Sequence, residues 1–173
     1  MYPKAILYHL DKRLEIVMKM KSLRFPELMT LLQEILLYLE LEKMRFGDKL
    51  AFSIDTGSNI NGDEQVPKLV LHTFAENAIK HGIMPNENGG KLKISVIKVE
   101  DYLKISIEDN GIGREKAAGK SSSTGKGLKL TREFYDILNQ LNSRPLSYSI
   151  IDLYDESGKA AGTRVEVYVP VER

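Results

Sequence analysis

Residues 67–82 read PKLVLHTFAENAIKHG, a helical run whose apolar spacing calls for a buried face while Glu76, Asn77, Lys80 and His81 crowd its far end. Pro67 suits the first turn of that helix. The strand-like run Tyr102 to Glu108 then ends in Asp109-Asn110-Gly111-Ile112-Gly113, and Gly125-Lys126-Gly127-Leu128 opens a further helix-like segment. A fold for this chain must bury the apolar side of the first helix and leave its polar end open, close to the loops that carry the other two clusters.

The rest of the chain supplies the frame. Residues 4–20 repeat apolar positions at Ile6, Leu7, Leu10, Leu14, Val17 and Met18, which predicts an amphipathic helix with Lys12, Arg13 and Lys19 facing elsewhere. A second helix is expected from Pro26, with Leu28, Leu31, Leu32, Ile35, Leu36 and Leu39 as its apolar face and Gly47 as its stop. The two could pack on each other, on the following domain, or on a second copy of the chain. Alternation predicts strands over Lys49 to Asp55, Lys91 to Val99 and Tyr102 to Glu108, the last two joined as a hairpin at Glu100-Asp101. Residues 114–126 lack apolar periodicity and read as a mobile segment. Leu128 to Leu141 is again helical, and Leu146 to Tyr154 with Thr163 to Val169 form a final strand pair around Glu156-Ser157-Gly158. The expected class is α+β: a two-layer α/β sandwich with a mixed, largely antiparallel sheet and helices on one face, plus N-terminal helices. The division is a helical segment over 1–25 and one principal domain over 26–173, a length able to bury one sizeable core.

Composition narrows the function classes. With 25 Lys plus Arg against 24 Asp plus Glu, no net field draws the chain to nucleic acid or an anionic membrane, so neither is expected as a partner. The absence of cysteine excludes a disulfide framework, a thiolate zinc site and a cysteine nucleophile, and is compatible with the cytoplasm. No apolar run reaches the ~18 to 20 residues of a membrane span, and the first residues lack a signal-peptide layout, so the chain reads as soluble.

Taken in order, the three clusters suggest a magnesium-nucleotide site. Asn77 can give a hard oxygen to Mg2+, a cation that commonly binds through few protein groups and keeps substrate phosphates as ligands. Glu76 is placed to accept a proton or hold a water beside a phosphoryl group, and Lys80 to reach a phosphate oxygen. The plain alternative is an ordinary i,i+4 pair between Glu76 and Lys80 on a solvated edge. Asp109 can accept a hydrogen bond from the exocyclic amine of adenine, with Gly111 and Gly113 allowing close approach of a ring, or it simply ends a strand in a frequent turn. Gly125 and Gly127 around Lys126 offer N–H groups and a charge to phosphate at a helix start, or form a flexible loop.

Other patterns fail on spacing. GREKAAGKS at 113–121 has five residues between its glycines where a P-loop needs four. GSNING at 57–62 lacks the carboxylates that open and close a calcium loop, since Gly57 and Lys68 hold those places. His9, His72 and His81 have no metal-ligand spacing, and His72 reads as a packed or hydrogen-bonded residue.

ENAIKHG, DNGIG and GKGL, followed by Gly162-Thr163, resemble the N, G1 and G2 boxes and closing strand of the ATP-binding domain shared by sensor histidine kinases, gyrase, the Hsp90 chaperones and MutL, the GHKL or Bergerat fold. YLELEKMRFGDKL at 38–50 together with VPKLVLHTFAENAIKHG is similar to the LytS-like sensor histidine kinases. The resemblance covers about residues 26–170 and implies Mg-ATP as cofactor. It implies catalytic roles for Glu76 and Asn77, with Asn77 on the metal and Lys80 and His81 on the phosphate side. It further implies Asp109 on the adenine amine, Gly111 and Gly113 shaping the pocket, Gly125, Lys126, Gly127 and Leu128 at a phosphate-side hinge, and Thr163 supporting the adenine contact.

The implied activity is transfer of the ATP γ-phosphoryl group to a histidine on a separate segment of the same parent protein, for relay to a response regulator. A homodimeric parent is implied, with this chain as the cytoplasmic, soluble portion of a membrane-anchored protein. Departures are plain. The acceptor motif of that subfamily does not occur, His9 being followed by Leu10 and Asp11, so the chain reads as a fragment downstream of its own substrate. Lys126 stands where a small or apolar residue is usual, and Leu130 where Asn is common. Two other functions stay open: a scaffold of the same fold without turnover, and a serine kinase of the anti-sigma-factor type.

Overall fold

A computed structural model of the chain describes residues 25–120 and 126–171. The helix expected over residues 4–20 lies outside them.

Helix α1 (Leu28–Phe46) begins without a side-chain cap. Loop carbonyls take that role instead, the Leu28 N–H donating to Glu64 O at 2.8 Å and Met29 N–H to Gly62 O at 2.8 Å. The helix ends where expected, at Gly47. Strand β1 (Leu50–Thr56) follows. Helix α2 (Leu69–Asn77) runs on into a wider π turn, Ala78–Ile83, in which the Met84 N–H reaches back to Ile79 O at 2.9 Å. Strands β2 (Gly90–Val99) and β3 (Tyr102–Asp109) form the expected hairpin, with Glu100 at a positive φ of 54° in its turn. After helices α3 (Arg114–Lys120) and α4 (Lys126–Leu141) the chain closes with β4 (Ser147–Tyr154) and β5 (Ala160–Pro170).

The five strands lie in the order β1-β2-β3-β5-β4. All pairs are antiparallel except β1 with β2, which is parallel because α2 carries the chain back across the sheet between them. Leu92, Ile94 and Val96 of β2, Leu103, Ile105 and Ile107 of β3, and Val165, Val167 and Val169 of β5 point to one face, where they share a core with Leu31, Ile35 and Leu39 of α1, Phe74 and Ile79 of α2 and its π turn, and Tyr135 and Leu138 of α4. An aromatic step locks α2 and α4 to β4: Tyr148 lies 5.3 Å from Phe74 and edge-on to Tyr135 at 5.1 Å. Among the described residues, no helix covers the opposite face. Its strand residues pair as ions, Arg164 with Glu108 at 2.6 Å and Lys104 with Glu166 at 2.9 Å, around a shallow depression of about 340 Å³.

One segment departs from the sequence reading. Residues 114–120, expected to be mobile, form α3. Its Ala, Lys and Glu content favours helix without an apolar stripe, so periodicity is silent there. Contacts to β4 hold it: Arg114 makes a bidentate pair with Asp152, both bonds 2.7 Å, and the Tyr154 hydroxyl bonds Glu115 at 3.2 Å.

Candidate nucleotide site

The π turn at the end of α2 lies directly against the end of β3. The Gly82 carbonyl accepts the Ile112 N–H at 3.0 Å. A Cβ on Gly82 would press into the Asp109 carboxylate, and one on Gly111 would overlap the Gly82 backbone. Only glycine at both positions permits this approach. From the other side, Gly162 at a φ of 134° brings β5 so close that its Cβ would overlap the Asp109 carbonyl.

Asp109 is enclosed by these contacts and only 3 % exposed. Its Oδ1 accepts the Gly111 N–H at 2.9 Å. Burial pushes its carboxyl up to about 6; the Gly111 N–H opposes that rise and the charge of Glu108 adds to it. A buried carboxylate of this kind gains from any further donor, and an exocyclic amine is one. Thr163 pairs directly with Asp109 across β3 and β5, and Asp152 pairs with Thr163 on β4, so the three form one row whose outer end is held by Arg114. The loop itself is fixed by Asn110, whose Oδ1 takes the Lys91 N–H at 2.5 Å while its own N–H reaches Lys91 O at 3.3 Å.

The structure therefore brings together the helix that carries Asn77, Lys80 and His81, the loop of Asp109, Gly111 and Gly113, and Thr163. Asn77 and His81 are half-buried, while Glu76 and Lys80 are exposed and paired with each other. The ordinary i,i+4 pair is thus present, and it occupies both residues assigned to phosphate chemistry. Asn77 leaves one amide oxygen on this flank, a donor that suits a hard cation completed by phosphate oxygens. In the third cluster, Lys126 and Gly127 fall inside the first turn of α4, which starts two residues earlier than the spacing predicts; Leu128 is exposed, and Gly125 lies outside the described residues.

Sequence reasoning missed the positions that build the pocket wall. Gly82 ended the predicted helix with no role of its own, yet its lack of a side chain is what lets the helix touch Asp109. The π turn is a single-residue widening that leaves no mark in apolar spacing, and such turns recur at functional sites. Asn110, Arg114 and Asp152 are polar residues whose pairings span 19 and 38 positions, beyond any local pattern.

Comparison with known proteins agrees with this geometry. Residues 62–173 match the family model described as histidine kinase-, DNA gyrase B- and HSP90-like ATPase. The chain belongs to this family. Among curated proteins it is 33% identical over 141 residues to the sensor histidine kinase BtsS of Escherichia coli (strain K12), covering 77% of this chain and 25% of that protein. It is 30% identical over 113 residues to the sensor protein LytS of Oceanobacillus iheyensis, covering 65% of this chain and 19% of that protein. The chain thus spans about a fifth to a quarter of the length of these relatives. The same fold occurs in the catalytic domain of histidine kinase ThkA, with a TM-score of 0.60 at 19% identity over 86% of this chain and 98% of that one.

Among the described residues, no helix is long and apolar enough to cross a membrane.

Proposed function

We propose that this chain is the ATP-binding catalytic part of a sensor histidine kinase, and that it moves the γ-phosphoryl group of Mg-ATP to a histidine outside this chain. The observation that carries the reading is the enclosed Asp109 carboxylate, wrapped by Gly82, Gly111 and Gly162 and accepting the Gly111 N–H. Asp109 accepts from the adenine amine and rejects guanine, which presents a carbonyl there. Thr163, next to it in register, supports the same edge of the base. Gly111 and Gly113 give the ring and sugar room.

Asn77 holds Mg2+, which when bound neutralises phosphate charge. Lys80 and His81 line the phosphate side, with Gly125, Lys126, Gly127 and Leu128 completing it from the start of α4. Glu76 orients the acceptor or takes its proton, a role that requires it to leave Lys80. Catalysis on this reading is positioning and charge stabilisation. The phosphoryl group then passes to a response regulator; the histidine kinase ThkA has been solved in complex with response regulator protein TrrA. The parent protein is a homodimer that presents this part in the cytoplasm.

Calorimetric titration with ATP and magnesium tests the reading. Saturable binding is expected in the wild type, with a loss of at least about 100-fold in Asp109→Asn. Binding that does not distinguish ATP from GTP would defeat it. The Glu76–Lys80 pair favours one second reading, a scaffold that keeps nucleotide and has lost transfer. Saturable binding without phosphoryl transfer to a supplied acceptor-histidine segment would select that alternative.

A further inference from the structure

The loop that follows Asp109 is tied at both ends to one row of the sheet. It leaves the row at Asp109, which pairs with Thr163 of β5. With Asn110, Gly111, Ile112 and Gly113 between, it reaches Arg114, whose guanidinium forks onto Asp152, the β4 partner of the same Thr163. Asp152 alternates with Tyr148 and Ile150, which pack against the core, so its carboxylate lies on the face of the sheet that Asp109 shares. Both bonds of the fork measure 2.7 Å, and beside it the Tyr154 hydroxyl donates to Glu115 at 3.2 Å.

The loop needs such a closure. Two of its four linking residues are glycines, which keep the most backbone freedom. The Ile112 N–H ties the middle of the loop to Gly82 O, and only Gly113, at a φ of 75°, stands between that bond and Arg114. A Cβ on Gly113 would come within 2.9 Å of the Ala160 Cβ, so the far end of the loop passes close against β5. Arg114 is 49 % and Asp152 30 % exposed, and pairs of that exposure contribute little to stability. A bidentate fork nevertheless fixes direction as well as distance, which a lysine ammonium does not.

We propose, resting on the reading that Asp109 takes the adenine amine, that Arg114 is a positioning residue for the base: its pair with Asp152 fastens the far end of the Asp109–Gly113 loop to the row that carries Asp109 and Thr163. Arg114 touches no part of the nucleotide on this view. It acts through the loop, so its loss should weaken the choice of base and leave the fold in place.

Titration calorimetry of the full chain with Mg-ATP, and with Mg-GTP in competition, tests this. Arg114→Ala should lose about fivefold or more in ATP affinity and little for GTP, narrowing the preference by that factor, while Tm stays within about 2 °C of wild type. Asp152→Ala should do the same, and the double variant should lose no more than either single one, because the pair acts as a unit. An unchanged preference, a proportionate loss for both nucleotides, or losses that add in the double variant would each overturn the proposal. Arg114→Lys keeps the charge and the aliphatic stem, which guards against a variant that fails to fold. It should narrow the preference in the same direction, and full retention would overturn the positioning role of the fork. A wild type that does not distinguish ATP from GTP would overturn the adenine reading and this proposal with it, so the wild type alone tells the two failures apart.

Discussion

The two ends of the candidate site are built to opposite specifications. At the adenine end, Asp109 is buried, its loop is tied to β2 and to the π turn by backbone bonds, and three glycines let main chain press on main chain. At the end proposed for phosphate the polar residues stand on the open flank of α2, with Glu76 and Lys80 exposed and paired with each other. On the proposed reading, the Asp109 end can take adenine as it is built, whereas the Glu76–Lys80 pair must open before either residue serves phosphate chemistry. Recognition and chemistry therefore depend on separate parts of the structure, and substitutions should separate them.

The largest expected effect lies in the close packing. Gly111→Ala sets a methyl group into the Gly82 backbone, where no flexible side chain can yield. We expect a loss of about 2 to 4 kcal/mol in stability, which lowers Tm by roughly 5 to 15 °C in a chain of this size, together with loss of nucleotide binding. A calorimetric melt checks it. A Tm within about 1 °C of wild type would show that the adenine end is as yielding as the phosphate end, and would remove the contrast.

Asp109→Asn should move binding and stability in opposite directions. The carboxyl is raised from 3.8 to about 6, so the folded state binds the extra proton between those values. Its ionisation therefore costs nothing below about pH 4, costs progressively more up to about pH 6, and is fully unfavourable to folding above that, by about 3 kcal/mol for a displacement of this size. Asn carries no charge to bury, so the variant should be at least as stable as wild type at pH 7.5 while its ATP affinity falls about 100-fold or more. In the wild type, an amine donor favours the ionised carboxylate, so affinity should weaken as pH drops below about 6. The Asn variant should lack this component of the pH profile, which checks that Asp109 is its source.

Asn77→Ala tests the other end. Its side chain is half-buried, with no described part in the packing, so the fold should survive and the magnesium dependence of ATP binding should fall about tenfold. Isothermal titration with and without magnesium reads this directly. If the variant loses affinity for nucleotide equally in both conditions, Asn77 supports the pocket and does not hold the ion.

The same division decided what could be read from the chain before its structure. Strand alternation in Lys91 to Val99 and Tyr102 to Glu108, and the apolar face of α1, are burial patterns, and burial has a period. Asp109 and Asn77 stood out because chemistry-bearing residues followed elements of that kind. Gly82 did not, since a glycine at the end of a helix is ordinary punctuation. Its role depends on what lies across from it, namely the Asp109 carboxylate 27 positions later. The helix at Arg114–Lys120 was illegible for a related reason: its hold on the sheet is a surface ion pair with Asp152 and a tyrosine contact from β4. The parallel pairing of β1 with β2 follows from the crossover through α2, a property of the path of the chain and of no single strand.

The smallest structural effect should come from Glu76, the residue proposed to act on the acceptor. Glu76 and Lys80 are about half exposed, so their pairing is screened, and breaking it in Glu76→Gln should change stability by at most about 0.5 kcal/mol. ATP affinity should stay within a few-fold, because neither residue touches Asp109 or its glycines. Phosphoryl transfer to a supplied acceptor segment should nevertheless drop about 100-fold or more, since the amide can neither take a proton nor orient the acceptor as a carboxylate does. Lys80→Met completes the comparison. If the ion pair only stabilises the helix, both variants should keep transfer near the wild-type rate; if Glu76 is held in reserve by Lys80, only the lysine variant, which keeps the carboxylate, retains most of the transfer. Equal loss in both would mean that the exposed flank acts as one charged unit, and the separation of recognition from chemistry would have to be drawn between α2 and β3 as whole elements, with no single residue carrying it.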